Sequence, residues 1–314
     1  MAAPRPRYDD LPVRPGAPPG SSWGVWGDGD RLGTLNLLDA AAVLRGREAL
    51  RRGRVFPLDL PFGEPDPPLF GRAAAGHRLT ADDAAFARDD VISGWNTQAA
   101  SQWDGFRHVR DLEHGYYNGL PGPAHGVAEW ARRGLAGRAV LADVARHLAA
   151  EGRPLDPATA TPITVDDLRG CLRAQGVTPE QGDILLVRTG WLAHYRALDA
   201  DGRRRAAVKT ELRAPGLLAA EETARWLWDS GFAAVAADNP SLEAWPLGAG
   251  AAAGEPILHI RLLARLGMPI GELWDLDALA RDCAETGEHT AFLVSAPMPL
   301  AAGCGSPANA VAMR

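Results

Sequence analysis

The run Asp90-Val91-Ile92-Ser93-Gly94-Trp95-Asn96-Thr97-Gln98-Ala99-Ala100-Ser101-Gln102-Trp103-Asp104-Gly105-Phe106-Arg107-His108 sets amide and charged side chains among aromatic and small residues. A surface loop has little use for Trp95, Trp103 and Phe106, and an ordinary core strand has little use for Gln98, Gln102, Asp104 and His108 in so short a span. If the run is buried, each polar group requires a hydrogen bond, a charge partner or a metal ion. Asp104 and His108 stand four apart and reach a common point if the chain bends at Gly105.

On these residues the run resembles the metal-binding motif of the cyclase superfamily, the metal-dependent hydrolases that include bacterial kynurenine formamidase. The usual pattern there is His-x-x-x-His-x-Asp-x-x-x-His. Asp104 and His108 match its Asp and last His, while Gln98 and Gln102 stand where the two leading His would be. Further along, His259-Ile260-Arg261-Leu262-Leu263 followed by Gly267-Met268-Pro269-Ile270-Gly271-Glu272-Leu273 resembles a second family block, with one residue more than in the formamidase branch. Asp238-Asn239-Pro240-Ser241, the stretch Gly182 to Trp191, and the turn Gly303 to Asn309 resemble further landmarks in the same order, so the likeness spans residues 90 to 314.

The resemblance implies a swivelling β/β/α domain with a barrel-like β core and outer helices. It also implies a divalent metal ion held by Asp104, His259 and Glu272, with His108 and Asp104 as catalytic residues and His108 as general acid and base. An oxygen and nitrogen donor set without sulfur suits Zn, Mn, Fe or Mg, with Zn and Mn placed first. With Gln98 and Gln102 in place of imidazoles, the alternatives are one metal, a harder oxygen-preferring metal, or none. In the last case the amides hold substrate. Gln98, Gln102, Trp95, Trp103, Tyr117 and Asp238 are therefore the expected substrate-binding residues. His114 and His125 are near enough in sequence to His108 to be weighed as ligands, and His77 reads as a solvated loop histidine.

Composition narrows the function classes. A chain of 314 residues, 46% hydrophobic and 23% charged, has the balance of a globular protein with a sizeable core. A net charge of -6 with interspersed signs gives no basic stripe for nucleic acid or an anionic membrane. Cys171, Cys283 and Cys304 are an odd, widely spaced set, which fits a reducing compartment. The beginning lacks the apolar run of a secretory signal and no window has the length of a membrane span, so a cytoplasmic protein is expected. Lys209 is the only lysine and lies in the charged run Arg203 to Arg213, which disfavours Schiff-base chemistry. There is no P-loop and no Gly-x-Ser-x-Gly elbow, and the glycines from Gly248 to Gly254 read as a mobile loop.

In chain order, residues 1–22 read as an extended Pro-rich arm ordered by a neighbouring subunit of a homodimer or homotetramer, and 23–314 as a single catalytic domain. Trp23 and Trp26 suit core or interface packing. Helices are expected over 35–51, 127–135, 143–151, 164–175, 221–230 and 276–281. Strands are expected over 55–60, 138–142, 183–188, 232–237, 270–273 and 290–295, with a final loop over 297–305. Residues 62–89 read as a loop or lid which, with 248–254, gates the pocket. Alternating helices and strands without a repeat give an α/β fold. The functional expectation is a metal-dependent hydrolase acting on an amide or lactone bond of a small, partly aromatic molecule. Two alternatives remain: a metal-independent ring-closing or dehydrating cyclase, and a non-catalytic small-molecule-binding relative.

Overall fold

The computed structural model describes residues 5–314, so residues 1–4 of the expected arm lie outside it. Thirteen strands follow one another along the chain. They are β1 (Val55–Pro57), β2 (Gly76–Leu79), β3 (Asp90–Ser93), β4 (Gln102–Asp104), β5 (Leu135–Ala142), β6 (Pro162–Ile163), β7 (Ile184–Val187), β8 (Gly216–Leu217), β9 (Ala234–Ala237), β10 (Ile270–Glu272), β11 (Thr290–Ser295), β12 (Gly305–Pro307) and β13 (Ala310–Met313). Nine of them form one strongly curled sheet in the order β1-β13-β11-β5-β7-β9-β10-β4-β12. β5, β7, β9 and β10 run parallel, and the flanking strands pair antiparallel. The parallel strands β7 and β9 are covered on both faces, which explains their unbroken apolar sequences, Ile-Leu-Leu-Val and Ala-Val-Ala-Ala.

Helices α1 (Ala40–Arg47), α2 (Ala128–Arg133), α3 (Val144–Ala150), α4 (Val165–Ala174), α5 (Trp191–Ala197), α6 (Ala200–Ala207), α7 (Glu221–Asp229) and α8 (Asp277–Thr286) surround this half-barrel. It is the swivelling β/β/α arrangement that the resemblance implies. Thr164 caps α4 and pairs with Asp167 in a capping box, as the sequence suggests. The expected helix over 35–51 is instead a 3-10 turn, Gly33–Leu37, followed by α1, because the Asp39 side chain accepts from the Ala42 amide and starts the helix there. α5 and α6 have no counterpart in the sequence reading. Ala-Asp-Gly-Arg-Arg-Arg-Ala-Ala of α6 carries almost no apolar stripe, and its start is fixed by Asp199 accepting from Gly202. The expected loop over 62–89 holds β2, which forms an exposed hairpin with β3, and His77 bonds Asp90 across it at 2.6 Å. The hairpin covers no core, so it leaves no alternating pattern. The expected final loop ends in β12, paired with β4.

The described part of the arm wraps its own chain. Pro6 accepts from the Trp228 indole at 3.0 Å, and the Tyr8 amide donates to Asp229 at 2.9 Å. The Arg5 guanidinium lies 4.5 Å from the Trp228 ring centroid, and the Tyr8 side chain belongs to the core. Residues 5–22 thus make contacts within their own chain, and Trp23 continues them by donating to Ala264 at 2.9 Å.

The feature that positions the site is the register of β4 between β10 and β12. Successive side chains of a strand point to opposite faces. Gln102 and Asp104 therefore share the inner face, and Trp103 points into the core, edge-on to Trp274 at 4.8 Å. Gln102 lies directly opposite Glu272 on β10. Between them Gly271 faces Trp103, where a Cβ would stand 2.5 Å from that of Ala236 and 2.8 Å from the Trp274 indole nitrogen. We predict that Gly271→Ala costs about 1–3 kcal/mol by overpacking. Urea titration would read this as a lower midpoint with unchanged slope, and an unchanged midpoint would contradict the packing account.

Candidate metal centre and active site

Three side chains converge inside the curl of the sheet. Asp104 ends β4, Glu272 ends β10, and His259 stands immediately before a π-helix, Ile260–Leu266, which closes at the left-handed Gly267. One ligand atom from each lies within 4.8 Å of the others, and all three residues are buried. The π-helix lies between His259 and Glu272, within the second block. His259 keeps its place opposite Glu272, with Nε2 3.1 Å from Oε1.

The His259 ring is fixed from behind by Glu243, fully buried, whose Oε1 lies 2.6 Å from Nδ1. The Glu243 carboxylate also accepts the backbone amides of Leu258 and His259 at 3.2 and 3.1 Å. A carboxylate on Nδ1 sets the tautomer and leaves Nε2 as the ligand atom. The Gln102 amide donates to Glu272 Oε2 at 2.5 Å and lies 3.4 Å from Asp104 Oδ1. Gln98, half-buried, donates to Asp104 Oδ1 at 2.5 Å and sits 2.8 Å from His108 Nδ1. Turning either amide round would set its oxygen against a carboxylate, so the amide nitrogen faces the acids. His108 Nδ1 then accepts from Gln98, and the neutral ring carries its proton on Nε2, 3.8 Å from Asp104 Oδ2.

Burial, and after it the charge of Asp104, pushes the Glu272 carboxyl up to about 7. Burial works against a charged His259, yet Glu243 and Glu272 on its two nitrogens hold its pKa well above the ordinary value. Burial lowers His108 against the pull of Asp104, with His259 and Arg72 adding to the effect, so this ring is neutral at pH 7. Asp104 Oδ2 is buried without a hydrogen-bond partner. An orphaned carboxylate oxygen aimed at a second carboxylate and an imidazole fits a divalent cation, and one nitrogen with two oxygens is a hard to borderline donor set. A cavity of about 240 Å³, walled by Phe70, Trp245 and Ile257, opens onto His108, His259 and Glu272.

Comparison with known proteins agrees with this fold. A family model described as "Putative cyclase" matches residues 56–244. The chain belongs to this cyclase family. A crystal structure described as a novel cyclase is 29% identical, with a TM-score of 0.81 over 94% of this chain and 99% of that one. Isatin hydrolase A from Labrenzia aggregata is 21% identical, with a TM-score of 0.58 over 82% and 93% of the two chains. The Ralstonia solanacearum isatin hydrolase A is 20% identical, with a TM-score of 0.58 over 87% and 94%. At these identities the two hydrolases share the fold. A search of curated proteins finds no match.

Of the residues singled out from the sequence, Asp104, His108, Gln98, Gln102, His259 and Glu272 come together. Both glutamines face the carboxylates, and Gln102 is wholly buried, so at position 102 the amide braces two acids rather than meeting substrate. Four expected substrate contacts lie elsewhere. Trp103 is in the core, its indole on Ser295 at 2.9 Å. Tyr117 is buried with its hydroxyl donating to Asp30 at 3.0 Å. Trp95 lines a separate cavity of about 190 Å³ beside Phe62 and Leu60. Asp238 accepts from the Thr189 amide and hydroxyl and from the Gly190 amide, which fixes the turn into α5, and burial pushes its carboxyl up to about 6. His114 bonds Asp111 and His125 bonds the Tyr117 carbonyl, so neither joins the group of Asp104, His259 and Glu272. Among the described residues no helix is long and apolar enough to cross a membrane.

Glu243 escaped the sequence reading, although a lone carboxylate inside Ser241-Leu242-Glu243-Ala244-Trp245 is an isolated charge in an apolar run. It holds His259, the histidine of the candidate cluster. Glu243→Gln is expected to weaken divalent-metal binding about 10- to 100-fold. Metal titration calorimetry checks this, and unchanged affinity would remove Glu243 from the site.

Proposed function

We propose that this member of the cyclase family is a metal-dependent hydrolase that opens an amide or lactone bond of a small, partly aromatic molecule. The observation that carries the reading is the buried convergence of Asp104, His259 and Glu272 with an unpartnered Asp104 oxygen, at the floor of a cavity where His108 is within reach. A divalent ion held there would polarise an acyl oxygen and lower the pKa of water toward about 7.

The chain's own residues handle orientation and the proton. Glu243 keeps the His259 Nδ1 proton and so aims Nε2 at the cation. Gln102 holds the Glu272 carboxylate by its Oε2, which leaves Oε1 for ligation. In hydrolysis water adds to the acyl carbon, the C-N or C-O bond breaks, and the leaving atom takes a proton. His108 Nε2–H hydrogen-bonds the leaving atom and steers to it the proton that the incoming water gives up, so the ring stays neutral. Gln98 keeps this tautomer by donating to Nδ1. Phe70 and Trp245, edge-on at 4.9 Å, give the cavity a wall suited to a flat substrate. The single protein nitrogen in the ligand set favours one ion per chain.

His108→Ala is expected to keep its metal and lose about 10²- to 10⁴-fold in turnover. Asp104→Ala is expected to lose both. Protonating His108 sets a new N–H against the Gln98 amide, so the neutral ring is the working form. Because its pKa is lowered from 6.5, kcat/KM should fall with decreasing pH through a limb below 6.5 that His108→Ala abolishes. An amide and lactone screen of the metal-loaded enzyme, with and without chelator, tests the whole reading. Turnover indifferent to chelator would replace it with metal-free acid-base catalysis.

A further inference from the structure

Two cations stand at the mouth of the same cavity, and the proposed hydrolysis has no use for them. Arg72 and Lys209 both line it. Each is propped on an aromatic ring: the Arg72 guanidinium is 5.0 Å from the Phe70 centroid, and the Lys209 ammonium is 5.7 Å from that of Trp245. Those two rings are the pair that walls the cavity, so the four side chains form a row of cation, ring, ring and cation across its opening.

The backbone makes an effort to hold this row. Phe70 has φ 61, ψ 20, a left-handed conformation that a bulky residue seldom adopts, and Arg72 follows two residues later. Arg72 is tied by one Nη1 bond to the carbonyl of Gln98, the residue that braces both Asp104 and His108. On the other side the Trp245 indole donates to the Lys209 carbonyl at 3.1 Å. Arg188 meets Asp143 and Asp277, whereas neither Arg72 nor Lys209 has an ion-pair partner among the described residues. The only carboxylate lining the cavity is Glu272, already engaged by Gln102 and His259.

We propose that Arg72 and Lys209 form an anion clamp, and that the substrate is a flat acyl compound bearing a carboxylate remote from the bond that breaks. This rests on the reading of the cavity as the hydrolytic site. The free guanidinium donors match a carboxylate in two-point geometry, the ammonium adds a second charge, and the ring pair holds the flat body between them. The anionic end docks at the mouth and the acyl group reaches the floor.

The test is a binding measurement on the metal-loaded full chain with two probes of one shape: benzenesulfonate, an anion that is a weak metal ligand, and neutral methyl phenyl sulfone. Calorimetry should give the sulfonate about a 10- to 100-fold lower Kd, the range of a charge-assisted hydrogen bond. Raising the ionic strength should shrink that advantage. Arg72→Met with Lys209→Met should bring the two probes within about twofold of each other while metal content and melting temperature stay at wild-type values. Should the double variant fail to fold, the salt series and Arg72→Lys, which keeps charge but not the fork, take its place, with a partial loss expected. Equal binding of the probes by the wild type, failure of the sulfonate to bind at millimolar concentration, or an advantage that survives in the folded double variant would each overturn the clamp. Absence of turnover on neutral and anionic acyl substrates alike, with the sulfonate preference intact, would overturn the hydrolase reading and leave the clamp standing.

Discussion

Two carboxylates, Asp104 and Glu272, are buried side by side within the curl of one sheet, and much of the structure around them answers that constraint. Like charges this close in a low-dielectric interior cannot both ionise unless positive charge or strong donors lie between them. Burial, and after it the charge of Asp104, accordingly pushes the Glu272 carboxyl up to about 7. The strand register that creates the problem is strict, because Gln102 and Glu272 are cross-strand neighbours and a slip of one residue would send Asp104 into the core in place of Trp103.

Donors reach the acids from several directions. Gln102 and Gln98 present amide nitrogens, and His259 presents Nε2 from a helix start that Glu243 holds by two backbone amides. One carboxylate oxygen, Oδ2 of Asp104, receives nothing. An unsatisfied carboxylate oxygen beside ligand atoms of His259 and Glu272 fits a divalent cation. The cost in stability is consistent with a functional site, where local rules are broken and the surrounding packing compensates.

Much of this was legible in the sequence because the residues of the candidate site fall in two short blocks that resemble motifs of one family. Asp104, His108, His259 and Glu272 were singled out by that resemblance, and the apolar strands 183–188 and 232–237 by their unbroken hydrophobicity. Trp103, Tyr117 and Asp238 were legible as unusual residues but not as to role, since the face of a three-residue strand or the partner of a buried carboxylate depends on chain that is distant in sequence. The roles of Glu243, Arg72 and Lys209 were hidden for the same reason: they meet the site from separate loops. The hairpin of β2 and β3 was hidden because it shields no core and so bears no binary pattern.

The measurement that bears most directly on the account is crystallographic: anomalous difference maps recorded above and below the absorption edge of the ion that co-purifies with the protein. The account predicts one anomalous peak per chain, bonded to Asp104 Oδ2, His259 Nε2 and Glu272 Oε1, with both glutamine side chains keeping their nitrogens toward the carboxylates. A map from fully active protein with no peak there, or with the ion bound at some other cluster, would contradict it.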